Sequence, residues 1–504
     1  MDSIYSQIIE AKNRTKIPLF SSGKSMESRY NPERDAQNFC NSIENKADIF
    51  LVIGIGSAIF LNLLSERFPE SKIIALENSK TDIDFLCSLE SVKKAKANPN
   101  IIFTDIENFS DCLIKNYLPA RYSSFKIIEQ KAWLIENQEQ TAYINEIINK
   151  ALGIISADFS VQSHFGKIWL KNILENTAIC EKSKSFFPYP SKDELCKKAF
   201  IAAAGPSLED FLDSNKDSLD DYYFISTDTA YSTLLKYGII ADICLSIDGQ
   251  NVSYNHFLHK NTISKKEKKT LFCFDLCANS SASKKLIKNN FNIYFFTSGH
   301  PLSTAINSFG KSFLPKLFSG SGTVTITALD LALKLGFKNI IVAGADFSYP
   351  KGKSYSRGTY LESLYNKDSD KLNTCEKSFS SLMYRTQLTE VSKDCKTNQI
   401  LNAYQTSFEN YLIQNHVTYT RENNIYKLTV GSFYTSENKS LWKNNYNDFS
   451  LKAFLNYFSE SKTEDAELLL LPYIAWLRNN KKYKNLKYKE LVQLAFNTVV
   501  SYNR

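Results

Sequence analysis

Two stretches of this chain share one pattern: short apolar runs, each closed by polar or small residues, alternate with segments of helical spacing. In roughly the first 155 residues the runs are Asp48–Ile53, Lys72–Leu76 and Asn100–Thr104. The first leads through Gly54-Ile55-Gly56-Ser57 into the helical spacing of Ala58–Phe68. The other two are closed by Glu77-Asn78 and Asp105. From Ala199 the pattern resumes with Ala199–Ala204, Tyr222–Ser226, Ile243–Ile247, Thr270–Phe274, Asn292–Phe296 and Asn339–Val342. Such alternation predicts parallel sheets with helices on their faces. Open parallel sheets bind ligands beyond the carboxyl ends of their strands. The polar residues at those ends (Asp228, Asp248, Asp275, Thr297-Ser298 and Asp346) therefore mark a candidate site.

A chain of 504 residues is too long for one core. The patterning divides it into an α/β domain over 1–155, a connecting helix and linker over 156–195, a central α/β domain over 196–375 and a mostly helical part over 376–504. The predicted helices are His164–Asn176 in the connector and Ser450–Phe458, Glu464–Arg478 and Leu486–Val500 in the last part, with Pro472 kinking or breaking the second of these three. No internal repeat of fixed period is present. The net charge of +8 is mild for this length, compatible with anionic ligands and not demanding nucleic acid. No Lys/Arg tract interleaved with aromatics offers a groove for single strands. The ten cysteines include one close pair, Cys273 and Cys277, which is neither a zinc pattern nor a disulfide framework. No stretch is apolar enough to span a bilayer. The opening residues lack an apolar signal region, so a cytoplasmic location is expected.

Two junctions offer anion sites. Ala199–Ala204 runs into Gly205-Pro206-Ser207-Leu208-Glu209-Asp210, where Ser207 is expected to cap a helix with Asp210 completing a capping box. Ser319-Gly320-Ser321-Gly322-Thr323 opens a second helix, capped by Ser321 or Thr323 and closed by Gly336. Helix starts present free N–H groups and partial positive charge. Asp346 ends the strand that follows. Two facing helix starts with Asp346 would frame a pocket for a phosphate-bearing ligand. Asp228 and Asp248 have the chemistry for ribose hydroxyls, a metal or a reacting hydroxyl, and equally for capping the next turn. Metal-ligand spacing is absent among the five histidines, and a DxD motif is absent from the strand ends, so no metal is required. Among the histidines His300 is expected to face the site, and the others, His256 and His259 included, to be structural or on the surface. The Gly54-Ile55-Gly56 turn with Glu77 imitates a nucleotide-binding turn but lacks the third glycine, Ile59 standing in its place.

The order of these segments resembles the motility accessory factors, the bacterial Maf flagellin glycosyltransferases. The likeness rests on Ser22–Ala36, on Phe165–Trp169 with Asn172–Asn176, on Ala204–Leu208 with Asp228 and Ala241–Asp248, and on Gly320–Asp346. The resemblance implies a central Rossmann-like domain of the sialyltransferase type and metal-independent transfer. The donor would be a CMP-nonulosonic acid (pseudaminic, legionaminic or sialic-acid-like), and the acceptor a Ser or Thr of flagellin before export. No cofactor is required. On that reading Gly205, Pro206, Ser207, Leu208, Asp228, Ser321, Gly322 and Thr323 hold the nucleotide. Asp248 or Asp346 takes the acceptor proton, and Tyr349, Tyr355 or Arg357 steadies the phosphate or the sugar carboxylate. Sialyltransferases carry a histidine after the Gly-x-Asp strand; Tyr355 stands roughly where a Maf-type histidine is expected. The central domain is also similar to pterin diphosphokinases, which move pyrophosphate from ATP. A non-catalytic flagellar assembly factor is the third reading.

Overall fold

The computed structural model describes residues 3–183, 187, 189–257, 266–311, 314–320, 322–431 and 449–502. The chain forms two compact units, Met1–Gly166 with Leu471–Val492, and Lys167–Leu470 with Gln493–Arg504.

The first unit opens with an antiparallel pair, β1 (Tyr5–Glu10) and β2 (Lys16–Phe20). Its sheet is wholly parallel. The strands β3 (Ile49–Ile53), β4 (Lys72–Glu77), β5 (Ile101–Asp105) and β6 (Phe125–Glu129) lie in the order β5-β4-β3-β6. β3 is buried along its whole length, which is why Ile-Phe-Leu-Val-Ile reads as an unbroken apolar run. The chain moves outward from β3 to β5, then returns to pair β6 on the other side of β3. That reversal creates a switch point between β3 and β6.

The second unit repeats the plan on a larger scale. Its strands are β7 (Lys198–Ala202), β8 (Tyr222–Thr227), β9 (Ile243–Ser246), β10 (Leu271–Asp275), β11 (Asn292–Phe296) and β12 (Asn339–Ala343). β8 to β11 step away from β7 on one side, and β12 returns to pair with its other side, all parallel. Apart from these come β13 (Tyr349–Pro350), β14 (Thr389–Ser392) and β15 (Cys395–Thr397), which form a small antiparallel sheet. β16 (Val417–Glu422) and β17 (Ile425–Val430) then form a hairpin, and β17 adds antiparallel to β12. The mostly helical part expected after residue 375 thus supplies two strands to the central sheet. β16 lies at its edge and is largely exposed, and β17 is buried only at alternate positions, so their polar residues hide the apolar pattern.

The expected strands occur within two residues of their predicted ends. The connector helix, expected over His164–Asn176, is part of one helix over Gln138–Ser183. Within the second unit Asn172 and Asn176 explain why this helix carries buried amides. Asn172 Nδ2 donates to the carbonyls of Gly249 (3.1 Å) and Cys277 (3.0 Å). Asn176 Nδ2 donates to those of Leu276 (3.0 Å) and Ala278 (2.8 Å). Two side chains thereby satisfy loop carbonyls that leave the sheet with no ladder partner. The C-terminal helices are Leu451–Glu460, Leu471–Asn479 and Tyr488–Ser501. Pro472 sits in the first turn of its helix, where a missing N–H costs nothing.

Candidate functional site

The switch point of the second unit lies between the carboxyl ends of β7 and β12, where Ala202 pairs with Ala343. The two strands leave the sheet through small residues that let their backbones touch. Ala203 N donates to Ala343 O and Gly205 N to Gly344 O, each at 2.8 Å. Gly344 has φ +81°, and a Cβ there would run into the Ala203 carbonyl. A Cβ on Gly205 would run into the Asp346 carboxylate. These glycines serve the approach of one strand end to the other.

That approach brings Ser207 and Asp346 together. Ser207 N donates to Asp346 Oδ2 at 3.2 Å, and Ser207 Oγ donates to the same oxygen at 3.1 Å while accepting from Gly344 N at 2.8 Å. The helix here runs Ser207–Ser214 with Pro206 at the cap position and no side-chain cap. The expected capping box is therefore absent, because Ser207 already lies in the first turn and spends its hydroxyl on Asp346 and Gly344. A protein carboxylate occupies this helix start. Arg421 Nη2 donates to the Asp346 carbonyl at 2.8 Å and to Asn424 Oδ1 at 3.0 Å. Asn424 lies at the tip of the β16–β17 hairpin, where Asn423 and Asn424 both have positive φ. Burial raises the Asp346 carboxyl to about 6, against the lowering pull of Ser207, Arg421 and Asn424.

The second helix start is different. The helix Val324–Leu335 is capped by Thr323, whose Oγ1 accepts from Thr325 N at 3.4 Å, and it ends at Gly336 in the left-handed region, as expected. The amides of Val324 and Ile326 find no acceptor among the described residues. Of the two, Ile326 is buried, whereas Val324 stands at the edge of a cavity of about 530 Å³. Its floor is the switch point itself, with Gly205, Gly344 and Asp346; Gly322 and Thr323 form one side. A further wall comes from later in the chain, with Tyr349, Tyr355, Arg385, Asn398 and Tyr404. Asn398 Nδ2 donates to Thr386 Oγ1 (3.0 Å) and Tyr349 Oη (3.3 Å), fixing two parts of that wall to each other. The loop before it is held by Ser356 N donating to Ala204 O at 2.8 Å. Burial among other tyrosines pushes the Tyr355 hydroxyl up to about 12, so it stays a proton donor at neutral pH.

Of the predicted site residues, Gly205, Gly322, Thr323, Asp346, Tyr349 and Tyr355 line this cavity. The others are placed elsewhere. Leu208 is fully buried in the core and Pro206 is the helix cap. Asp228 is buried in the first turn of its helix and accepts from Thr229 N and Ser246 Oγ, both at 2.7 Å, so it ties the end of β8 to β9. Asp248 accepts from Gln250 N at 2.9 Å, and burial raises its carboxyl. Arg357 is bound through its backbone N and its Nε to Glu209 and is absent from the wall. Ser321 and His259 lie outside the described residues. His300, expected at the site, instead caps the helix Pro301–Phe309, its Nδ1 accepting from Leu302 N at 3.2 Å, and burial lowers it to about 4. Thr229, Arg385, Asn398 and Tyr404 were not foreseen. The one local signal among them is Asn398, a helix cap ahead of Gln399–Gln414. Among the described residues no group of three His, Cys, Asp or Glu is arranged to hold a metal ion, and no helix is long and apolar enough to cross a membrane.

The first unit has a corresponding turn, and its own side chains fill it. Gly54 (φ +93°) carries Trp133 against its open face, and Glu27 reaches over Gly56 to accept from Ser57 N at 2.5 Å. Glu77 points inward, accepting from Tyr5 Oη (3.1 Å), Ile55 N (3.0 Å) and Trp133 Nε1 (2.5 Å), and burial raises it to about 7.

Comparison with known proteins places this architecture. Residues 167–352 match the family described as MptE-like, 6-hydroxymethylpterin diphosphokinase MptE-like. Two uncharacterized proteins of Treponema pallidum (strain Nichols) are similar in sequence. One is 30% identical over 237 residues, covering 46% of this chain and 75% of the relative. The other is 33% identical over 138 residues, covering 27% and 64%. The structure of a MAf glycosyltransferase from Magnetospirillum magneticum AMB-1 aligns over 100% of this chain and 92% of its own, with a TM-score of 0.51 and 12% identity. The chain belongs to one family with the first treponemal protein, carries an MptE-like central segment, and has the fold of the Magnetospirillum MAf glycosyltransferase.

Proposed function

We propose that this chain is a glycosyltransferase that moves a nonulosonic acid from its CMP form to a Ser or Thr hydroxyl of flagellin in the cytoplasm. The observation that carries the reading is the cavity at the β7–β12 switch point with one unoccupied helix start on its edge. The fold shared with the Magnetospirillum glycosyltransferase supports it. The open amide of Val324, at the start of its helix, is suited to the phosphate of the donor, whose charge grows as the bond to the sugar breaks. In the transfer the anomeric carbon–oxygen bond to phosphate breaks and CMP leaves with the electron pair. The acceptor oxygen bonds to that carbon, and its proton passes to a base. Asp346 suits the last role: it lines the cavity, and a carboxyl near 6 is ionised at neutral pH yet more basic than a solvated one. Tyr355 keeps its proton and is placed to donate to the leaving phosphate or the sugar. A test is intact-mass analysis of flagellin after incubation with the purified protein and a CMP-nonulosonic acid. The expected result is a gain of one or more sugar residues with equal release of CMP. Unchanged flagellin mass with no CMP released would defeat the reading.

The match of residues 167–352 to the MptE-like family supports a second reading, transfer of diphosphate from ATP to a hydroxymethyl group. That match ends before the wall carrying Arg385, Asn398 and Tyr404. Tighter binding of ATP than of CMP would favour it.

A further inference from the structure

The cavity is complementary to negative charge at two separate places. One is the start of the helix Val324–Leu335. The other is the wall from later in the chain, where Arg385 is the one basic residue among the described lining residues, just as Asp346 is the one acid. Arg385 follows the helix Cys375–Met383, and its neighbour Thr386 is held by Asn398. No ion pair joins Arg385 to an acid among the described residues. Arg357, the arginine that the sequence offered for this role, is committed to Glu209. A ligand with a single anionic group would leave one of the two places unmatched. A ligand carrying a phosphate and, on its far side, a carboxylate would match both, and a guanidinium suits a carboxylate better than any other side chain.

We infer that Arg385 is a specificity-determining residue of this cavity and binds the carboxylate of an acidic sugar while the helix start holds the phosphate. This inference rests on the proposed transferase reading. It assigns to the insertion between β13 and the helix Gln399–Gln414 the task of telling acidic sugars from neutral ones. A neutral sugar would forgo the charge-assisted pair with the guanidinium that an acidic sugar gains.

The test is calorimetric titration of the full chain with CMP and with CMP-N-acetylneuraminic acid, for wild type, Arg385→Gln, Arg385→Lys and Arg357→Gln. Arg385 is exposed, so its replacement leaves the fold intact. Arg385→Gln is expected to weaken the CMP-sugar by about 10- to 100-fold, the span of a charged hydrogen-bonded pair, with CMP affinity unchanged within twofold. Arg385→Lys should restore part of the loss, and Arg357→Gln should match wild type. Equal affinity of Arg385→Gln and wild type for the CMP-sugar would overturn the inference and leave the transferase reading standing. So would equal weakening of CMP and CMP-sugar, which would put Arg385 on the phosphate. A wild-type chain that binds neither compound would remove the transferase reading and this inference with it.

Discussion

The two units build the same device, a strand, a glycine turn and a helix at a switch point, and use it in opposite ways. In the first unit the turn is finished from within: Glu27 takes the Ser57 amide, Trp133 covers Gly54 and Glu77 gathers four donors, from Tyr5, Ile55, Asn78 and Trp133. In the second unit the turn after β7 is also closed, by Asp346. The anion site proposed for the cavity belongs to the next helix along, which starts at Val324 with its amide left free among the described residues. Every buried polar group must find a partner or pay in stability. A filled helix start is satisfied by the protein itself, whereas one that opens on a cavity is left to water or to a ligand. Fold-level repetition says little about which is which.

The sharpest way to break this comparison is to treat the two acids alike. Asp346→Asn keeps one acceptor for Ser207 but removes the base, and the transfer rate is expected to fall by about 10²–10⁴-fold. The wild-type rate should rise with pH through about 6 and then level off, and this limb should vanish in the variant. Thermal unfolding of the variant checks that the Ser207 corner survives. Glu77→Gln should leave the rate unchanged. A comparable rate loss in Glu77→Gln would mean that the first unit also serves the chemistry.

Glu77 should show itself in stability instead. Its folded value of about 7 lies above the 4.5 of a solvated carboxyl. Between those values the folded chain keeps a proton that the unfolded chain has lost, so stability falls as pH rises through this window and stays low above it. A shift of this size corresponds to about 3 kcal/mol. Denaturant titrations of wild type and Glu77→Gln from pH 4 to 8 isolate it. The wild-type advantage should shrink by that amount with rising pH, and a difference independent of pH would show that Glu77 is not held protonated.

Helix caps provide a smaller contrast. Ser79 caps its helix in the first unit by accepting from Asp82 N at 3.1 Å, and Thr323 caps the one at the cavity. Replacing either by Ala is expected to cost about 1 kcal/mol of stability. Only Thr323→Ala should also weaken CMP, by a few-fold in calorimetry. Equal CMP affinity in the two variants would detach the helix start from the ligand.

The parallel strands were legible because strands buried on both faces read as unbroken apolar runs, as in Phe-Ile-Ala-Ala before Gly205 and Ile-Ile-Val-Ala before Gly344. The β16–β17 hairpin was not read, though Asn423-Asn424 between Val417-Thr-Tyr and Ile425-Tyr-Lys-Leu carries a two-residue turn signal. Six of the cavity's lining residues, Gly205, Gly322, Thr323, Asp346, Tyr349 and Tyr355, were legible because they sit in continuous motifs at or just beyond strand ends and helix starts. Arg385 and Tyr404 were not, since they reach the site through an insertion whose placement depends on long-range packing. The failure at Ser207 is instructive. Ser207 and Asp346 each look like ligand-binding residues, and nothing local reveals that two residues 139 positions apart satisfy each other.

The smallest expected effect concerns Glu27. Its Oε1 sits on the Ser57 amide, its Oε2 has no hydrogen-bond partner, and burial raises its carboxyl. Glu27→Gln keeps an acceptor for Ser57 and removes a poorly solvated charge, so unfolding stability at pH 7 should change by no more than about 1 kcal/mol, the worth of one ordinary hydrogen bond. Glu27→Ala empties the space over Gly56 and is the stricter trial. The turn still lacks the third glycine that lets a Rossmann helix pack close to its strand, Ile59 being in that place, and Trp133 still blocks Gly54. Calorimetry should therefore find one CMP per chain in both variants, as in wild type. A second equivalent bound by Glu27→Ala would show that the two turns differ only in what occupies them, and that the first unit is a nucleotide site under an internal stopper.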